Sequence, residues 1–303
     1  MTKNNLAKKR TLWHYEAFAT QAGKGNPAGV VPDADTLNET QMQEIAQEVG
    51  FNETVFICSS QQGDYRLRYF TPGHEIPLCG HGTIAAVTHL GKTGALNGKR
   101  QLQLETKAGM ICVAIQQDQD KFVVTMEQAR PEFRAFQGDI AALATSLGIQ
   151  VEELDDNLPI LYGSTGTWTL LVPIKDLATF SRMKPQNQLF PQILKENPRC
   201  SVHPFCLKAM SLQRDTHSRH FSSAFSGTVE DPVTGTAAGV LGAYLARYVD
   251  SGRGEYHFRM EQGQELGSDG EVAVKIYSDA QGWRVFIAGT AIFVKQWEVT
   301  NHS

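Results

Sequence analysis

Short runs rich in β-branched and aromatic residues dominate the hydrophobic pattern of this chain. In several of them polar and apolar residues alternate, which is typical of half-buried antiparallel strands. The predicted strands are Trp13–Phe18, Thr54–Ile57, Tyr65–Phe70, Gln101–Thr106, Met110–Ile115, Phe122–Met126, Trp168–Val172, Val272–Tyr277, Arg284–Ala288 and Thr290–Trp297. We therefore expect a protein built mainly from sheets, with few helices.

The clearest surface helix is predicted at Glu39–Val49. Asn38 stands at the N-cap position with Gln41 three residues later, which is the spacing of a capping box. Apolar residues follow at intervals of three or four, and Gly50 stands where a C-terminal glycine belongs. The predicted helix ends just before Glu53.

Two other helices are predicted at Gly82–Leu90 and Gly235–Tyr248. Small and apolar residues occupy nearly all their faces, which is typical of buried helices. Each begins at a glycine-containing turn, and the two turns lie about half a chain length apart, as an internal duplication would leave them. We therefore predict an α+β fold with two pseudo-symmetric halves. Each half is expected to be a curved, mostly antiparallel, barrel-like sheet around one central apolar helix, with both helix N-termini facing a shared cleft.

The boundary between the halves is expected where the strand pattern stops, near Glu127–Pro131. We place the N-terminal half at residues 1–128 and the C-terminal half at residues 129–303. The strand at 290–297 could return to complete the N-terminal half.

Composition narrows the possible partners. The chain has 303 residues, 41% of them hydrophobic, and a formal net charge of -4, with no basic run beyond Lys8–Arg10. This charge argues against nucleic acid as a partner. No stretch approaches the roughly 18 apolar residues of a membrane span, and Met1–Thr11 resembles neither a signal peptide nor an anchor. We expect no membrane association.

Cysteine usage and motifs narrow the possible cofactors. The five cysteines are scattered, without a Cys-x-x-Cys pair or a histidine at a metal-ligand spacing, so we expect reduced thiols in the cytoplasm and no metal site. A Gly-x-Gly-x-x-Gly after a strand and a Walker lysine are both absent from the sequence. We therefore expect no cofactor.

The strongest chemical signal is the segment Cys79–Thr83, here named the Cys79 turn, which leads from a loop into a helix. Backbone N–H groups at Gly80 and Gly82, with the helix dipole behind them, suit a carboxylate or a developing oxyanion. His81 and Thr83 lie in the same turn. The structural alternative is a tight turn that only starts a buried helix, with His81 bonded to the backbone.

A second turn, Asp231–Thr236, here named the Asp231 turn, opens the other apolar helix. Asp231-Pro232 favours a turn, and Gly235 and Thr236 begin the helix. Its repetition of the first turn favours a binding role for both turns. The alternative is that Asp231 only caps the turn and Thr236 only satisfies the helix terminus.

Glu53 opens an apolar strand, and Phe51, Val55 and Phe56 should partly desolvate its carboxylate. A carboxylate in such a place could move a proton near neutral pH, although a plain surface glutamate is the alternative. Asn26, in a predicted loop over residues 25–29, could reach a substrate or cap a turn.

Cys79 suggests a different base, because a thiol at a helix start can form a dipole-stabilised thiolate. Racemisation by two opposed thiols would need a second cysteine at the equivalent turn, where Thr234, Gly235 and Thr236 stand. A buried, chemically silent Cys79 is therefore favoured.

Taken together, these motifs resemble the phenazine-biosynthesis PhzF-like family, whose fold is similar to that of diaminopimelate epimerases and proline racemases. The resemblance runs from about Leu12 to Trp297. It is carried by Ala17–Phe18, Gly25–Val30, Asn52–Thr54, Arg68–Pro72, Leu78–Thr83, Glu230–Thr236 and Gln262–Gly263.

The resemblance implies a cofactor-independent isomerase, often a homodimer, in which a glutamate transfers a proton on a small carboxylate-bearing substrate. By this resemblance Glu53 is the acid/base, while His81, Asp231 and Thr236 bind and polarise the substrate. The chain departs from the family pattern at Glu16, where aspartate is usual, and at Thr236, where serine is usual. Two alternatives stay open: a small-acid binding protein without turnover, and a cysteine-assisted racemase.

Overall fold

The computed structural model of this protein describes residues 9–19 and 21–300, so most of the polar segment Met1–Thr11 lies outside it. Among the described residues, no helix is long and apolar enough to cross a membrane. The chain divides into two compact units. The first runs to Met126 and includes the segment from Gly289 onward, and the second is Glu127–Ala288.

The strands are β1 (Lys9–Ala17), β2 (Asn26–Val31), β3 (Glu53–Cys58), β4 (Tyr65–Phe70), β5 (Glu75–Ile76), β6 (Gln101–Thr106), β7 (Gly109–Asp118), β8 (Lys121–Glu127), β9 (Glu132–Ala135), β10 (Leu161–Ser164), β11 (Trp168–Pro173), β12 (Ser201–Cys206), β13 (Thr216–Ser218), β14 (Glu255–Gln262), β15 (Gly270–Asp279), β16 (Gly282–Gly289) and β17 (Ala291–Thr300). The α-helices are α1 (Glu39–Val49), α2 (Gly80–Lys92), α3 (Ile140–Leu147), α4 (Phe190–Ile193) and α5 (Gly235–Tyr248). Short 3-10 helices lie at Ala34–Thr36, Val151–Glu153, Leu177–Arg182, Asn187–Leu189 and Gln264–Leu266.

In the first unit the strands pair in the order β17-β1-β2-β3-β4-β6-β7-β8. The pairings β2–β3 and β4–β6 are parallel, and the others in this order are antiparallel. The C-terminal strand β17 pairs along the whole of β1, from Lys9 opposite Thr300 to Ala17 opposite Ala291. Helix α2 is buried along most of its length and packs against β1, β2, β3 and β17.

In the second unit the strands pair in the order β9-β10-β11-β12-β13-β14-β15-β16. The parallel pairings, β11–β12 and β13–β14, stand at the same two places in the order as in the first unit. Parallel neighbours need a crossover connection. Helix α2 makes the β4–β6 crossover and α5 makes the β13–β14 crossover. The predicted fold of two similar α+β halves is therefore confirmed by matching topology.

Helix α1 connects β2 to β3 and sets the start of the strand that carries Glu53. Its capping box is complete, since the Asn38 side chain accepts from the Gln41 N–H and the Gln41 side chain accepts from the Asn38 N–H. Gly50 ends the helix with φ at 68°, a left-handed conformation that favours glycine. Met42 and Ile45 bury the inner face in a hydrophobic cluster beside the strands.

Two sequence predictions need correction, and one helix was not predicted. Residues 25–29 are not a loop, because β2 begins at Asn26, which pairs with Ala17. Helix α2 begins at Gly80 rather than Gly82, so His81 lies inside its first turn. Helix α3 was not predicted, although the Asp139 side chain caps it and Gly148 ends it. Its short length left too little periodicity to distinguish it from a buried strand.

Candidate active site

The Cys79 turn is the first turn of α2, held by its own hydrogen bonds. Cys79 is the N-cap, with an extended backbone, and its carbonyl accepts from the Thr83 N–H at 3.0 Å. The Thr83 hydroxyl donates to the same carbonyl at 2.7 Å and lies 2.7 Å from the Tyr69 hydroxyl. Because Thr83 is fully buried, its hydroxyl fixes the shape of the turn.

The glycines of this turn leave space and donors at the helix start. The Gly82 N–H donates to Cys79 Sγ at 3.3 Å, and a Cβ on Gly82 would lie 3.2 Å from the same sulfur. The N–H groups of Gly80 and His81 belong to the first turn, where helix geometry supplies no intrahelical acceptor. These N–H groups and the positive end of the helix dipole are the features of the turn that favour binding of an anion.

Glu53, the first residue of β3, reaches the Cys79 turn. Its Oε2 lies 3.0 Å from His81 Nε2, and the two side chains are 18% and 9% exposed. The residues that follow, Thr54, Val55 and Phe56, are fully buried, so the carboxylate stands at the border of the core. The structure thus brings together two residues that are separated in the sequence by strands β4 and β5 and their loops.

Asn26 contacts His81 at Nδ1, whereas Glu53 contacts Nε2. Its Nδ2 lies 3.4 Å from His81 Nδ1, and the residue is fully buried. The chain can enter β2 at this point because Gly25 has φ at +84° and a Cβ there would lie 2.5 Å from the Ala17 carbonyl oxygen. The Glu16 carboxylate accepts from the Gly23 N–H at 2.6 Å, so the glutamate that departs from the family pattern still braces this loop.

The electrostatics of the cluster favour a charged imidazole. Burial by itself lowers the pKa of His81, but the neighbouring Cys79 sulfur and Glu53 carboxylate outweigh it, and the pKa lies well above its ordinary value. Burial raises the pKa of the Cys79 thiol, against the opposing effect of His81. The direction set by the Glu53 carboxylate favours an imidazolium at His81.

The second unit builds the Asp231 turn around α5. The Thr234 hydroxyl donates to the Asp231 carboxylate at 2.5 Å, and the Thr234 carbonyl accepts from the Ala238 N–H at 3.0 Å. The Thr236 carbonyl accepts from the Thr165 hydroxyl at 3.1 Å. Asp231 and Thr236 are partly exposed, whereas Gly235 is buried at the helix start.

Gln262 braces the Asp231 turn, a role that the sequence did not reveal. Its amide nitrogen donates to the Asp231 carbonyl at 2.7 Å, and its amide oxygen accepts from the Thr234 N–H at 3.1 Å. Gly263 follows with φ at +99°, and a Cβ there would lie 2.5 Å from the Ser268 carbonyl oxygen. The pair Gln262-Gly263 stood out in the sequence, but only the fold shows which turn it holds.

A buried charge cluster lies next to Gln262 and was also missed. His217 bonds Glu261 through Nδ1 and Glu265 through Nε2, both at 2.9 Å. Burial lowers the pKa of His217, but its bonds to the two carboxylates outweigh this effect and raise the pKa. Burial raises the pKa of Glu261 and Glu265, but the bond that each makes to His217 opposes it, and Glu261 also accepts from the N–H groups of Met210 and Ser211. The pKa of each carboxyl therefore lies below its ordinary value. His217 is 44 residues from Glu261, and no sequence spacing links them.

The predicted site residues thus fall into two groups. The first unit brings together Asn26, Glu53, Gly80, His81, Gly82 and Thr83, with Cys79 among them. The second unit brings together Asp231, Gly235 and Thr236.

Comparison with known proteins identifies the family. The family model PhzC-PhzF, described as phenazine biosynthesis-like protein, matches residues 15–296. The chain belongs to this family. An uncharacterized isomerase, YfhB of Bacillus subtilis, is 46% identical, with 94% of this chain and 97% of that protein covered. The trans-2,3-dihydro-3-hydroxyanthranilate isomerase of Pseudomonas aeruginosa is 32% identical, with 88% and 89% covered. This PhzF-family protein is an isomerase.

Solved structures agree with this assignment. The crystal structure of a PhzF-family phenazine biosynthesis protein from Bacillus anthracis has a TM-score of 0.94 at 48% identity, covering 96% of this chain and 99% of that one. A hydroxyproline epimerase from Agrobacterium vitis has a TM-score of 0.61 at 14% identity, covering 96% and 92%. The latter likeness concerns the fold alone, and it confirms the epimerase-like architecture expected from the sequence.

Proposed function

We propose that this PhzF-family isomerase moves a proton between two positions of a small carboxylate-bearing metabolite, with Glu53 as the acid/base and without a cofactor. The observation that carries the proposal is the contact of 3.0 Å between Glu53 Oε2 and His81 Nε2 at the N-terminus of α2. Carboxylate, imidazolium and helix start together provide a base and compensating positive charge.

In this mechanism the Glu53 carboxylate removes a proton from carbon, so a C–H bond breaks and an O–H bond forms. The negative charge moves from Glu53 to the substrate, where the His81 imidazolium and the helix dipole stabilise it. The neutral Glu53 then returns the proton to another carbon of the substrate. Protons and electrons balance within the cycle, and a single acid/base serves both steps.

Substrate binding is assigned to the two turns. The N–H groups at Gly80 and His81 suit the substrate carboxylate. The buried Asn26 lies beside the His81 ring, with its Nδ2 3.4 Å from Nδ1. By the family resemblance, Asp231, Gly235 and Thr236 take the corresponding role in the second unit. A homodimer is part of the same proposal, and sedimentation equilibrium would contradict it by giving the mass of one chain.

A thiol base is the alternative that Cys79 suggests, because its Sγ lies 3.4 and 3.7 Å from the two ring nitrogens of His81. Burial raises the pKa of this thiol, which works against a thiolate. At the corresponding start of α5 stands Thr234, so a second thiol is not present there. Glu53 is therefore the favoured base.

The test is solvent deuterium incorporation at carbon-bound positions, followed by mass spectrometry and NMR. Trans-2,3-dihydro-3-hydroxyanthranilate, the compound in the name of the Pseudomonas aeruginosa relative, is the first compound to try, followed by other small cyclic acids. Glu53→Gln should lower the rate by about 10²- to 10⁴-fold, the usual contribution of a general acid/base. The matched control is Glu48→Gln on the exposed face of α1, which should leave the rate unchanged.

Two outcomes would contradict the proposal. Full turnover by Glu53→Gln would exclude Glu53 as the acid/base, and a greater loss in Cys79→Ser than in Glu53→Gln would favour the thiol. A compound that binds without any exchange of its protons would support a small-acid binding protein instead.

A further inference from the structure

Two hydroxyl groups link the end of strand β4 to the start of α2. Tyr69 is fully buried on β4, and its hydroxyl lies 2.7 Å from the Thr83 hydroxyl, which donates to the Cys79 carbonyl at 2.7 Å. Since the single hydroxyl hydrogen of Thr83 is used in the second bond, Tyr69 is the donor in the first. Burial raises the pKa of the Tyr69 hydroxyl, so this group keeps its proton. These two bonds, here named the hydroxyl chain, therefore run in one direction from strand to helix cap.

The hydroxyl chain starts on the sheet face that carries Glu53. Tyr69 lies directly opposite Val55 in the antiparallel pair of β3 and β4, and Glu53 lies two residues before Val55 on β3. Residues directly opposite each other, and residues two apart in one strand, share one face of a sheet. Both Tyr69 and Glu53 therefore point towards α2, where Glu53 Oε2 lies 3.0 Å from His81 Nε2.

The hydroxyl chain ends on the turn that carries His81. The Cys79 carbonyl accepts from the Thr83 hydroxyl at 2.7 Å and from the Thr83 N–H at 3.0 Å. His81 lies between these two residues in the sequence, so a shift of its backbone away from β4 would stretch the chain. The ring of Tyr69 also lies close to the turn, since a Cβ on Gly82 would be 3.4 Å from Tyr69 Cδ1.

The second unit has the same local pattern around its equivalent strand. In both units an arginine lies over the ring of the phenylalanine two residues later, in the segments Arg68–Phe70 and Arg219–Phe221. Each of these arginines also forms an ion pair with a glutamate that follows in the chain. The middle residues of the two segments, Tyr69 and His220, are therefore equivalent in the two halves.

In the described part of the second unit, the hydroxyl chain has no counterpart. Thr83 stands four residues after the N-cap of α2. Ala238, at the same place in α5, donates its N–H to the Thr234 carbonyl at 3.0 Å but has no hydroxyl. His220 Nδ1 lies 3.2 Å from His203 Nδ1 instead. The fold thus forms a buried helix start without such a chain, which links the chain to the chemistry of the first unit.

We propose that Tyr69 is a positioning residue of the isomerase, which holds the first turn of α2 at the distance from β3 at which Glu53 meets His81. The expected effect on the rate rests on the proposed function of Glu53. The expected effect on geometry is independent of that function, because it concerns only the contact between the two side chains.

The geometry is tested with Tyr69→Phe, which removes the first donor of the hydroxyl chain and keeps the ring. The matched control is Tyr15→Phe, because Tyr15 is also buried and its hydroxyl lies 3.1 Å from His89 Nδ1 in the last turn of the same helix. The pKa of His81 is measured by NMR titration of its ring protons, assigned with a His81→Gln variant.

Tyr69→Phe should bring the pKa of His81 down towards its ordinary value of 6.5, because the carboxylate that raises this pKa lies further away once the turn is released. Tyr15→Phe should leave the pKa of His81 at the parent value. An unchanged pKa in Tyr69→Phe, or an equal decrease in both variants, would overturn the proposal.

A second pair of variants keeps the test decisive if Tyr69→Phe does not fold, as judged by circular dichroism. Thr83→Val removes the middle hydroxyl and should lower the pKa of His81 in the same way. The matched control is Thr88→Val on the same helix, because Thr88 is also buried and its hydroxyl has no hydrogen-bond partner among the described residues. The double variant Tyr69→Phe with Thr83→Val should lower this pKa no further than Thr83→Val alone, since both act through one chain. Additive decreases would contradict the hydroxyl chain.

The effect on the rate is tested by deuterium exchange. Tyr69→Phe should slow exchange about tenfold or more, since a misplacement of about 1 Å can cost about 100-fold in rate. Tyr15→Phe should exchange at the parent rate. A lowered pKa of His81 in a protein without exchange supports the positioning role and contradicts the proposed function. Exchange that depends on Glu53 but is undiminished in Tyr69→Phe does the reverse.

Discussion

The substitution His217→Gln tests the buried charge cluster beside the Asp231 turn. His217 is fully buried, and the Glu261 and Glu265 side chains are 3% and 9% exposed. Glutamine removes the positive charge that both buried carboxylates contact. Breaking a buried ion pair by removing one partner typically costs about 3–5 kcal/mol. We therefore expect the free energy of unfolding to fall by about that amount.

A matched control lies in the same unit. His257 bonds Glu255 at 2.7 Å, but these side chains are 67% and 51% exposed. Exposed ion pairs contribute about 0–1 kcal/mol, so His257→Gln should have little effect. Both variants are compared with the parent protein by urea denaturation, followed by circular dichroism and tryptophan fluorescence.

The loss of stability in His217→Gln should depend on pH, in a direction that follows from the pKa shifts. The pKa of His217 is raised above its ordinary 6.5, so its stabilisation is complete below that pH and is lost as the pH rises through the raised pKa. The pKa values of Glu261 and Glu265 are lowered from 4.5, so their stabilisation is complete above that pH and is lost as the pH falls through the lowered values. The cost of His217→Gln should therefore be greatest between about pH 4.5 and 6.5.

Two results would refute this reasoning about the cluster. A decrease in the free energy of unfolding below about 1 kcal/mol would show that the His217 ion pairs contribute no more than exposed ones. A loss that stays constant from pH 4 to pH 9 would show that packing, not charge, accounts for the effect.

The remaining predictions concern the bracing of the Asp231 turn. Gln262→Leu keeps the side-chain volume but removes the two hydrogen bonds of Gln262 to the backbone of the turn, each worth about 0.5–1.5 kcal/mol. We expect lower stability and a higher KM, and an unchanged KM would contradict the bracing role. Gly263 has φ at +99°, and a Cβ there would lie 2.5 Å from the Ser268 carbonyl oxygen. Gly263→Ala should therefore lower the free energy of unfolding more than Gly267→Ala, where φ is +67° and a Cβ would meet nothing within 4 Å. Equal denaturation midpoints for these two variants would count against the close approach.

Much of the local structure was predictable because its causes are local. The helix Glu39–Val49 carries its start and stop signals in its own sequence, and both signals form as predicted. The apolar helix Gly235–Tyr248 was predicted with the observed bounds, since small residues continue on every face. The duplicated glycine turns indicated two similar halves, and the matching order of pairings confirms that fold.

Other features depended on residues far apart in the chain. The strand at Asn26 was missed because Asn26-Pro27 favours a turn locally, whereas its pairing with β1 is a tertiary contact. Gln262 and His217 act through partners 28 to 48 residues away, and a single sequence carries no signal for such pairs.

The sequence by itself determined that each of the two turns opens an apolar helix and, by its motifs, the family. Only the tertiary structure placed Glu53 Oε2 3.0 Å from His81 Nε2 and gathered Cys79 and Asn26 around the same ring. The physical reason is the range of the forces involved. Capping and periodicity act over a few residues, whereas a charge cluster forms only when strand pairing and helix burial fix its members in space.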